Sequence, residues 1–401
     1  MRNVPKLRFK EFSGEWEEKK LGEISNFLDG KRKPLKDSDR NNRKGIYPYY
    51  GASGIIDYID DYIFDKELIL LGEDGANILT RNTRLAFLAT GKYWVNNHAH
   101  VIEGKKYVNQ YFLCEYLEKL DYTQYNTGTA QPKLNQEICK NILVKLPYLK
   151  EQEKIGNFLS NIDKKISITE EKLDLFKEYK KGIMQKIFKQ ELRFKDSRGN
   201  DYPEWEEKRL GEIIEFLSDY TANGSFASLK ENVTYYTEEN YAVLVRTTDL
   251  EKRIFTPERF TDKKGYNFLK KTALFGGEII LANVGSIGNV YKVPSYNKPM
   301  TLAPNTYVIY FNTLVEKEFI YQMMKTNNFK NKILSKVGSS TLKAINKANL
   351  KDIDIFIPTS LEEQQKIANF LSSIDNKIEN LAIELENLKE FKKGLLQQMF
   401  V

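Results

Sequence analysis

One long stretch of this chain is written twice, and it constrains the fold more than any other feature. EQEKIGNFLSNIDKKI begins at Glu151, and EQQKIANFLSSIDNKI begins at Glu363, 212 positions later. In both copies the seam residues recur at alternating steps of four and three, which is the heptad spacing of a coiled coil. The chain is therefore predicted to form two long helices that pack against each other. The seam residues are Ile155, Leu159, Ile162, Ile166, Thr169, Leu173, Phe176, Lys180, Ile183 and Ile187, and Ile367, Leu371, Ile374, Ile378, Leu381, Leu385, Leu388, Lys392, Leu395 and Met399.

Two lysines within the seams indicate how the helices are oriented. Lys180 and Lys392 occupy equivalent positions, so a parallel pair in register would place two ammonium groups side by side. If the helices run antiparallel and their seams are aligned end to end, Lys180 falls next to Asp375 and Lys392 falls next to Asp163. We therefore predict an antiparallel pair.

A second, shorter repeat marks the start of each half. EWEEKKLGEI begins at Glu15 and EWEEKRLGEI begins at Glu204, and each is preceded by LRFK. The order is an opening segment, a variable block and a long helix, given twice, which indicates an internal duplication rather than a solenoid. We expect the first opening segment and domain at residues 1–147, the first helix at 148–190, the second opening segment and domain at 191–358, and the second helix at 359–401. Trp16 and Trp205 lie in the repeated segment and are interpreted as packing anchors.

The variable blocks have the pattern of strands joined by turns, each block with one helix. Strands are predicted at Glu67–Leu71, Leu85–Ala89 and Tyr93–Val95 in the first block, and at Tyr241–Arg246, Glu278–Val284 and Thr306–Phe311 in the second. The helices are predicted at Asn109–Leu120 and Glu316–Val337, and each block closes with a short strand that ends at Pro147 or Pro358. The predicted fold class is α+β: two domains with mixed sheets, separated by two long antiparallel coiled-coil helices and related by a pseudo-twofold internal duplication.

The composition describes a mildly basic protein with few cysteines. A length of 401 residues suggests two or three domains, and a hydrophobic content of 41% suffices for buried cores. Cys114 and Cys139 are too few for a disulfide framework, which favours the cytoplasm. No signal peptide or bilayer-crossing segment is expected. The formal charge of +7 lies outside the nearly neutral helical repeats, so the globular blocks carry the basic surface that a polyanion would contact.

The chain carries no recognisable catalytic or cofactor motif. Thr90-Gly91-Lys92 lacks the upstream glycine and the following hydroxyl residue of a phosphate-binding loop. His98 and His100 could point to one face of a strand, but a metal site would need a third ligand that the spacing does not reveal, so a structural role is favoured. Gly285-Ser286-Ile287-Gly288 follows a predicted strand without a helix start, which favours a hairpin turn over a phosphate loop. No metal or cofactor is expected on this chain.

The variable blocks are rich in side chains that can contact nucleic acids. A basic run from Lys31 to Lys44 precedes the aromatic run Tyr47–Tyr50, and it is either a solvated loop or a surface for DNA phosphates. Amide and hydroxyl side chains nearby are suited to base edges. The predicted DNA-binding residues are Arg32, Lys33, Arg43, Lys44, Tyr49, Tyr50, Asn96, Asn97, His98, Thr129 and Gln131 in the first block, and Arg246, Thr247, Asn283, Ser286, Asn305, Ser339, Thr341 and Lys343 in the second.

Together these features resemble the specificity subunit of a type I restriction–modification enzyme, over nearly the whole chain. Both helical repeats follow the pattern IP…EQxxIxxxLxxxD…KKGxxQxxF, with Leu146 in place of the first isoleucine. The block YPYYGASGIIDYIDDYIFD from Tyr47, with LLGEDGA at Leu70 and AFLATGKYWVNNHAHV at Ala86, is similar to the recognition domains of this family.

The resemblance implies a non-catalytic subunit that binds double-stranded DNA. Each variable block would be a target-recognition domain that reads one half of a bipartite target across an unread spacer. Two methyltransferase subunits holding S-adenosylmethionine would methylate adenine. Two further subunits, dependent on ATP and magnesium, would translocate and cut the DNA.

Two other interpretations stay open at this point. The chain could be the recognition region of a single-chain restriction–methylation system, although 401 residues show no methyltransferase or nuclease segment. It could also be a coiled-coil scaffold that binds only proteins. A scaffold would show no sequence-dependent DNA binding even with its partners present, so that measurement separates the hypotheses.

Overall fold

The computed structural model describes residues 3–128, 130–252, 254–337 and 343–401. The chain divides into two compact units. The first unit consists of Met1–Leu173 and Leu381–Val401, and the second consists of Asp174–Asn380. Each unit therefore contains one variable block and a part of both long helices. Within the described residues no helix is long and apolar enough to span a bilayer.

The first half of the chain ends in a helix of 40 residues. Its elements are β1 (Glu17–Lys20), α1 (Leu21–Ile24), β2 (Ser25–Phe27), α2 (Asp37–Asn41), β3 (Lys44–Gly51), β4 (Gly54–Ile59), β5 (Phe64–Asp65), β6 (Leu68–Gly72), α3 (Asn77–Thr80), β7 (Ala86–Ala89), β8 (Lys92–Val95), β9 (Ala99–Gly104), α4 (Gln110–Lys119), α5 (Gln136–Lys140), β10 (Leu143–Leu146) and the long helix α6 (Leu149–Phe188).

The second half ends in a helix of 39 residues. Its elements are β11 (Glu206–Arg209), α7 (Leu210–Ile213), β12 (Ile214–Asp219), α8 (Phe226–Asn232), β13 (Ala242–Val245), α9 (Thr247–Leu250), β14 (Phe260–Thr261), α10 (Lys263–Phe268), β15 (Ala273–Leu274), β16 (Ile279–Ala282), β17 (Val290–Lys292), β18 (Met300–Leu302), β19 (Thr306–Phe311), α11 (Lys317–Met324), α12 (Asn327–Ser335), α13 (Lys347–Lys351), β20 (Asp354–Ile357) and the long helix α14 (Leu361–Met399).

The two halves share one sheet topology. The first half has sheets in the order β2-β9-β6-β7, β4-β3-β8-β5 and β1-β10, and the second has β12-β19-β16-β17, β14-β13-β18-β15 and β11-β20. In each half one strand pair is parallel, β3 with β8 and β13 with β18, and the other pairs are antiparallel. The predicted mixed sheets and the internal duplication are confirmed.

The long helices run antiparallel, as predicted. In the first unit Ile155 and Leu159, near the start of α6, share a core with Leu395 and Met399, near the end of α14. In the second unit Ile187, near the end of α6, shares a core with Ile367 and Leu371, near the start of α14. Every predicted seam residue is buried or partly buried, since the four-and-three spacing keeps these side chains on one helix face.

Each seam lysine is buried beside the acid that the antiparallel alignment predicts. The Nζ atom of Lys392 lies 2.7 Å from Asp163 and 2.9 Å from Glu115, a residue of α4. The Nζ atom of Lys180 lies 2.6 Å from Asp375 and 2.9 Å from Gln322, the corresponding residue of α11. The helix of each variable block thus contacts both long helices through one buried ammonium group.

The Glu-Gln pair at the start of each helical repeat makes hydrogen bonds to the opening segment and to the variable block of its unit. Buried Glu151 accepts hydrogen bonds from Arg8 and from the indole of Trp16. Its repeat partner Glu363 accepts the same bonds from Arg193 and from Trp205. The neighbouring glutamines, Gln152 and Gln364, accept the backbone N–H that precedes α4 and α11, and they donate to the carbonyls of Pro147 and Pro358. Trp16 and Trp205 are packing anchors, as predicted.

One predicted helix is two helices in the structure. The prediction of a single helix at Glu316–Val337 is wrong, because α11 ends at Met324 and α12 begins at Asn327. The hydroxyl of Thr326 accepts a hydrogen bond from the N–H of Phe329, and this cap starts a new helix. The predicted hairpin at Gly285–Gly288 is confirmed, since β16 and β17 pair antiparallel and both glycines have positive φ.

Candidate nucleic-acid interface

Each variable block collects several loops at one end of its sheets. Because β3 and β8 run parallel, their carboxyl ends lie together, and the end of β6 meets the start of β9. In the first block the N–H of Asn96 donates to Tyr50, and the N–H of Glu73 donates to His98. The second block repeats these contacts between Ala303 and Val245 and between Asn283 and Asn305. We call this end the loop face. It comprises residues 51–54, 73–76, 96–98, 126–128 and 130–135 in the first block, and 246, 283–288, 303–305 and 343–346 in the second.

Three predicted residues of the first block lie exposed on its loop face. Asn97, His98 and Gln131 are exposed, and Asn96 beside them is buried. The Nδ1 atom of His98 lies 2.7 Å from Asp74, which pairs with Lys133 across an isolated bridge. This pairing brings the loop that holds Gln131 next to the loop that holds His98. The structure thus places amide and imidazole groups from distant parts of the sequence on one loop face.

Three of the four predicted phosphate-binding cations are engaged within the protein. Arg32 lies 2.7 Å from Glu73, Arg43 lies 2.8 Å from Asp60, and Lys44 lies 2.7 Å from Asp57. Lys33 is exposed and makes no ion pair with the described residues. Since a paired cation gains less from a phosphate than a free one, Lys33 is the strongest remaining candidate of the four.

The two predicted tyrosines have packing roles in the structure. Tyr49 is 1% exposed, and its hydroxyl accepts a hydrogen bond from the N–H of Leu35. This burial corrects the expectation that Tyr49 contacts DNA. Tyr50 is partly buried and packs against Phe87 and Tyr93.

A buried ion pair beneath the first loop face was not predicted. The Nδ1 atom of His100 lies 2.7 Å from Asp29, and its Nε2 atom lies 2.9 Å from the carbonyl of Leu134. Burial opposes the charged imidazolium, but the hydrogen bond to Asp29 and the contact with Cys139 raise the pKa of His100 to about 10. The same bond holds the pKa of the Asp29 carboxyl below its usual range, against the effect of burial.

The two histidines have different environments, although the sequence suggested that they could share one face of a strand. His98 lies in the loop before β9 and is exposed, whereas His100 lies within β9 and is buried. Tyr307 takes the place of His100 in the second block, and its hydroxyl donates to the carbonyl of Ile345 as His100 donates to Leu134. In both blocks a buried side chain therefore holds one loop of the loop face by a hydrogen bond to a backbone carbonyl. Within the described residues, no group of three or more His, Cys, Asp and Glu side chains is placed to hold a metal ion.

The predicted residues of the second block that the structure describes lie on or beside its loop face. Asn305 and Lys343 are exposed, and Asn283 and Ser286 are partly buried. Arg246 is held by Asp249 and by Glu258 at 3.0 Å, and Thr247 follows it at the start of α9. The predicted residues Thr129, Ser339 and Thr341 lie outside the described residues.

The second loop face also contains a cavity of about 510 Å³ that the sequence did not reveal. Asn283 and Asn305 line it together with aromatic and apolar side chains, among them Tyr220, Phe226 and Tyr235. The residues from 220 to 235 show no periodicity that would have placed them beside Asn283. Their position depends on the pairing of β12 with β19, which brings the end of β12 next to the loop before β19.

Comparisons with known proteins agree with this duplicated architecture. The MjaVIII specificity subunit of a type I restriction enzyme from Methanocaldococcus jannaschii is 27% identical over 417 residues, which cover 97% of this chain and 94% of that protein. A candidate type I restriction enzyme specificity subunit from Haemophilus influenzae, S.HindORF215P, is 27% identical over 366 residues, with 90% and 87% covered. The crystal structure of a type I restriction–modification S subunit from M. genitalium matches 99% of both chains with a TM-score of 0.66 at 16% identity, which shows a shared fold.

The family match covers both halves of the chain. The sequence profile of the type I restriction modification DNA specificity domain matches residues 13–177 and 202–390. These two segments contain both variable blocks, together with most of α6 and α14. The protein therefore belongs to the family of type I restriction–modification DNA specificity domains.

Proposed function

We propose that this protein is the DNA-recognition subunit of a type I restriction–modification complex. Each variable block acts as a target-recognition domain and reads one half of a bipartite target. Two methyltransferase subunits bound to this chain carry S-adenosylmethionine and methylate adenine, and two ATP- and magnesium-dependent subunits carry out restriction. The chain itself positions these activities without catalysing them, in the cytoplasm.

The observation that carries this proposal is the contrast between one repeated frame and two unlike loop faces. The strand order, the Glu-Gln contacts and the buried lysines recur in both halves. The exposed groups at the same strand ends differ: Asn97, His98 and Gln131 in one block, Asn305 and Lys343 in the other. A repeated frame supports two equivalent docking sites for one kind of partner. Unlike loop faces support two different DNA sequences, since amide and imidazole groups read base edges.

Sequencing of methylated adenines in cells that express this chain with its methyltransferase partner tests the proposal. We expect methylation at one bipartite motif, lost when the chain is omitted. Replacing the first variable block with that of a relative should change one half of the motif and leave the other half intact. A change in both halves together would contradict the assignment of one half to each block. Methylation that is independent of this chain would contradict the function itself.

Point variants on the two loop faces test which loop face reads which half of the motif. Asn97→Ala with His98→Ala should relax or alter only the half read by the first block, and Asn305→Gly should affect only the other half. Gly is chosen at position 305 because Asn305 has a φ of +69°, which other side chains rarely adopt. A loss of about 1–3 kcal/mol of discrimination is expected where a base contact is removed. Motif logos derived from the methylated sites provide the measurement.

A further inference from the structure

The cavity on the second loop face has the size and lining of a small-molecule site. Its volume of about 510 Å³ falls within the range of about 300–1,000 Å³ that is typical of ligand pockets. Leu229 and Val233 form apolar parts of its wall, and Asn283 and Asn305 bring amide groups to it. A mainly apolar cavity with a few convergent polar groups binds planar organic ligands well.

One polar atom of a residue that lines this cavity has no hydrogen-bond partner among the described residues. The Oδ1 atom of Asn283 is buried and accepts no bond from them, although the backbone N–H and carbonyl of the same residue are bonded to Asn305 and Ile345. Leaving a buried amide oxygen unsatisfied costs about 1–3 kcal/mol. Because this oxygen has less than 1 Å² of accessible surface, a ligand with an N–H group satisfies it when the Asn283 side chain turns toward the cavity.

Aromatic side chains and a lysine also line the cavity. The hydroxyl of Tyr235 donates to that of Tyr220 at 2.8 Å, which fixes both rings in the cavity wall. Phe226 is 80% exposed and also lines the cavity. Lys230, one turn further along α8, lines the cavity and makes no ion pair with the described residues. Aromatic faces stack on heterocyclic bases, and an unpaired ammonium group attracts a phosphate.

We propose that this cavity binds a single nucleobase, with the Asn283 side chain turned so that its Oδ1 atom accepts an N–H group of the base, with the base ring against Phe226 and Tyr235, and with its 5′-phosphate near Lys230. The proposal rests on the proposed function in one respect, because the cavity opens among the loops assigned to DNA reading. The base comes either from a nucleotide extruded from the target duplex or from a free mononucleotide. Both sources present the same base and the same 5′-phosphate to the cavity.

The first measurement titrates the intact chain with dAMP, dGMP, dCMP and dTMP by isothermal calorimetry. We expect saturable binding of at least one of them, weakened roughly tenfold by Asn283→Leu, which keeps the volume but removes the acceptor. Val233→Trp, which fills the cavity, should abolish binding. Lys230→Gln should weaken binding of the nucleotide but not of the corresponding deoxynucleoside, which lacks the phosphate. Asn312→Leu, at the other end of β19, is the matched control and should leave binding unchanged.

The second measurement uses the complex with the methyltransferase partner and duplexes that carry 2-aminopurine at successive positions of the target. Unstacking of the labelled base should raise its fluorescence at one position, and Asn283→Leu and Val233→Trp should remove that rise. Binding in the first measurement alone identifies a free nucleotide as the ligand, and a fluorescence rise alone identifies an extruded base. Neither signal, or signals that both variants leave unchanged, would overturn the proposal. The proposed function would still stand if chain-dependent methylation of a bipartite motif persisted.

Discussion

At the scale of single residues, the buried His100–Asp29 pair makes the stability of the first unit dependent on pH. The pKa of His100 is raised to about 10 in the folded chain, from about 6.5 in an unfolded one. A raised pKa contributes stability that is complete below the unfolded value and disappears as the pH rises through the folded value. The stabilisation by this imidazolium is therefore present at pH 6 and lost progressively between about pH 6.5 and 10.

We predict that His100→Gln destabilises the protein most at pH 6, and that the difference from the natural chain narrows as the pH rises to 10. The slope is at most about 1.4 kcal/mol per pH unit, as for one proton. Urea unfolding at pH 6, 7.5 and 9 measures the difference. Tyr307→Phe removes the equivalent loop-anchoring bond in the second block, and its effect should stay constant between pH 6 and 7.5. A His100→Gln effect that is independent of pH would show that the imidazolium adds no stability.

The ion pairs around the basic run lead to a second prediction at this scale. Lys33→Gln should weaken DNA binding by the partner-bound complex on all sequences and reduce the slope of log K against log[salt] by about 1, as the loss of one phosphate contact does. Arg43→Gln should change that slope less, because Asp60 already neutralises its guanidinium. Fluorescence anisotropy at several salt concentrations provides the slopes. Equal slopes for both variants would mean that Arg43 leaves Asp60 when DNA binds.

At the scale of the elements, the two buried lysines are a matched pair with one chemical difference. Lys392 faces Asp163 and the almost fully buried Glu115, whereas Lys180 faces Asp375 and the neutral Gln322. Burial and the charge of Lys325 lower the pKa of Lys180, against the opposing pull of Asp375. Lys392 therefore contacts two acids directly, whereas Lys180 contacts one, and Glu318 acts on Lys180 without an ion pair to it.

We expect Lys392→Met to cost more stability than Lys180→Met, because it removes the cation from two contacting acids rather than one, and Glu115 is almost fully buried. Removing one partner of a buried ion pair costs about 3–5 kcal/mol. Adding Glu115→Gln to Lys392→Met makes the first junction resemble the second and should recover part of the loss. Urea unfolding of the three variants and the natural chain measures these differences. A double variant no more stable than Lys392→Met alone would show that Arg84 already compensates the charge of Glu115.

At the scale of the whole molecule, the last residues of the chain complete the core of the first unit. Phe400 is buried against Trp16, Phe112 and Tyr116. Phe188 occupies the repeat position in the second unit, where it contacts Trp205 and Phe319. Each unit therefore depends on the end of a long helix for part of its core.

We predict that Phe400→Ala destabilises the unit that contains residues 3–173, at the opposite end of the sequence. The cost should be about 3–5 kcal/mol, as for other buried aromatic truncations. Hydrogen exchange followed by mass spectrometry should show faster exchange in α4 and β10 and little change in α11 and β20. Phe188→Ala is the matched control and should show the reverse. Uniformly faster exchange in both units would mean that they unfold as one.

The sequence by itself determined the features that repeat or follow a short period. The heptad steps place the seam residues, and the end-to-end antiparallel alignment of the two seams places each seam lysine beside its acid. These predictions succeed because helical periodicity is local, and because like charges in one seam exclude the parallel arrangement. Trp16 and Trp205 are identifiable as packing anchors for a similar reason, since both halves repeat them.

Only the tertiary structure decided which groups are free to meet a ligand. Arg32 is paired with Glu73, 41 residues away, and His100 bonds to Asp29, 71 residues away. Tyr49 is buried and Lys33 is exposed, although both lie in one basic and aromatic run. The cavity beside Asn283 is formed largely by residues between 219 and 235, more than 40 positions distant along the chain. Such pairings depend on strand register and on loop positions, which follow from the packing of the whole domain and leave no periodic trace in the sequence.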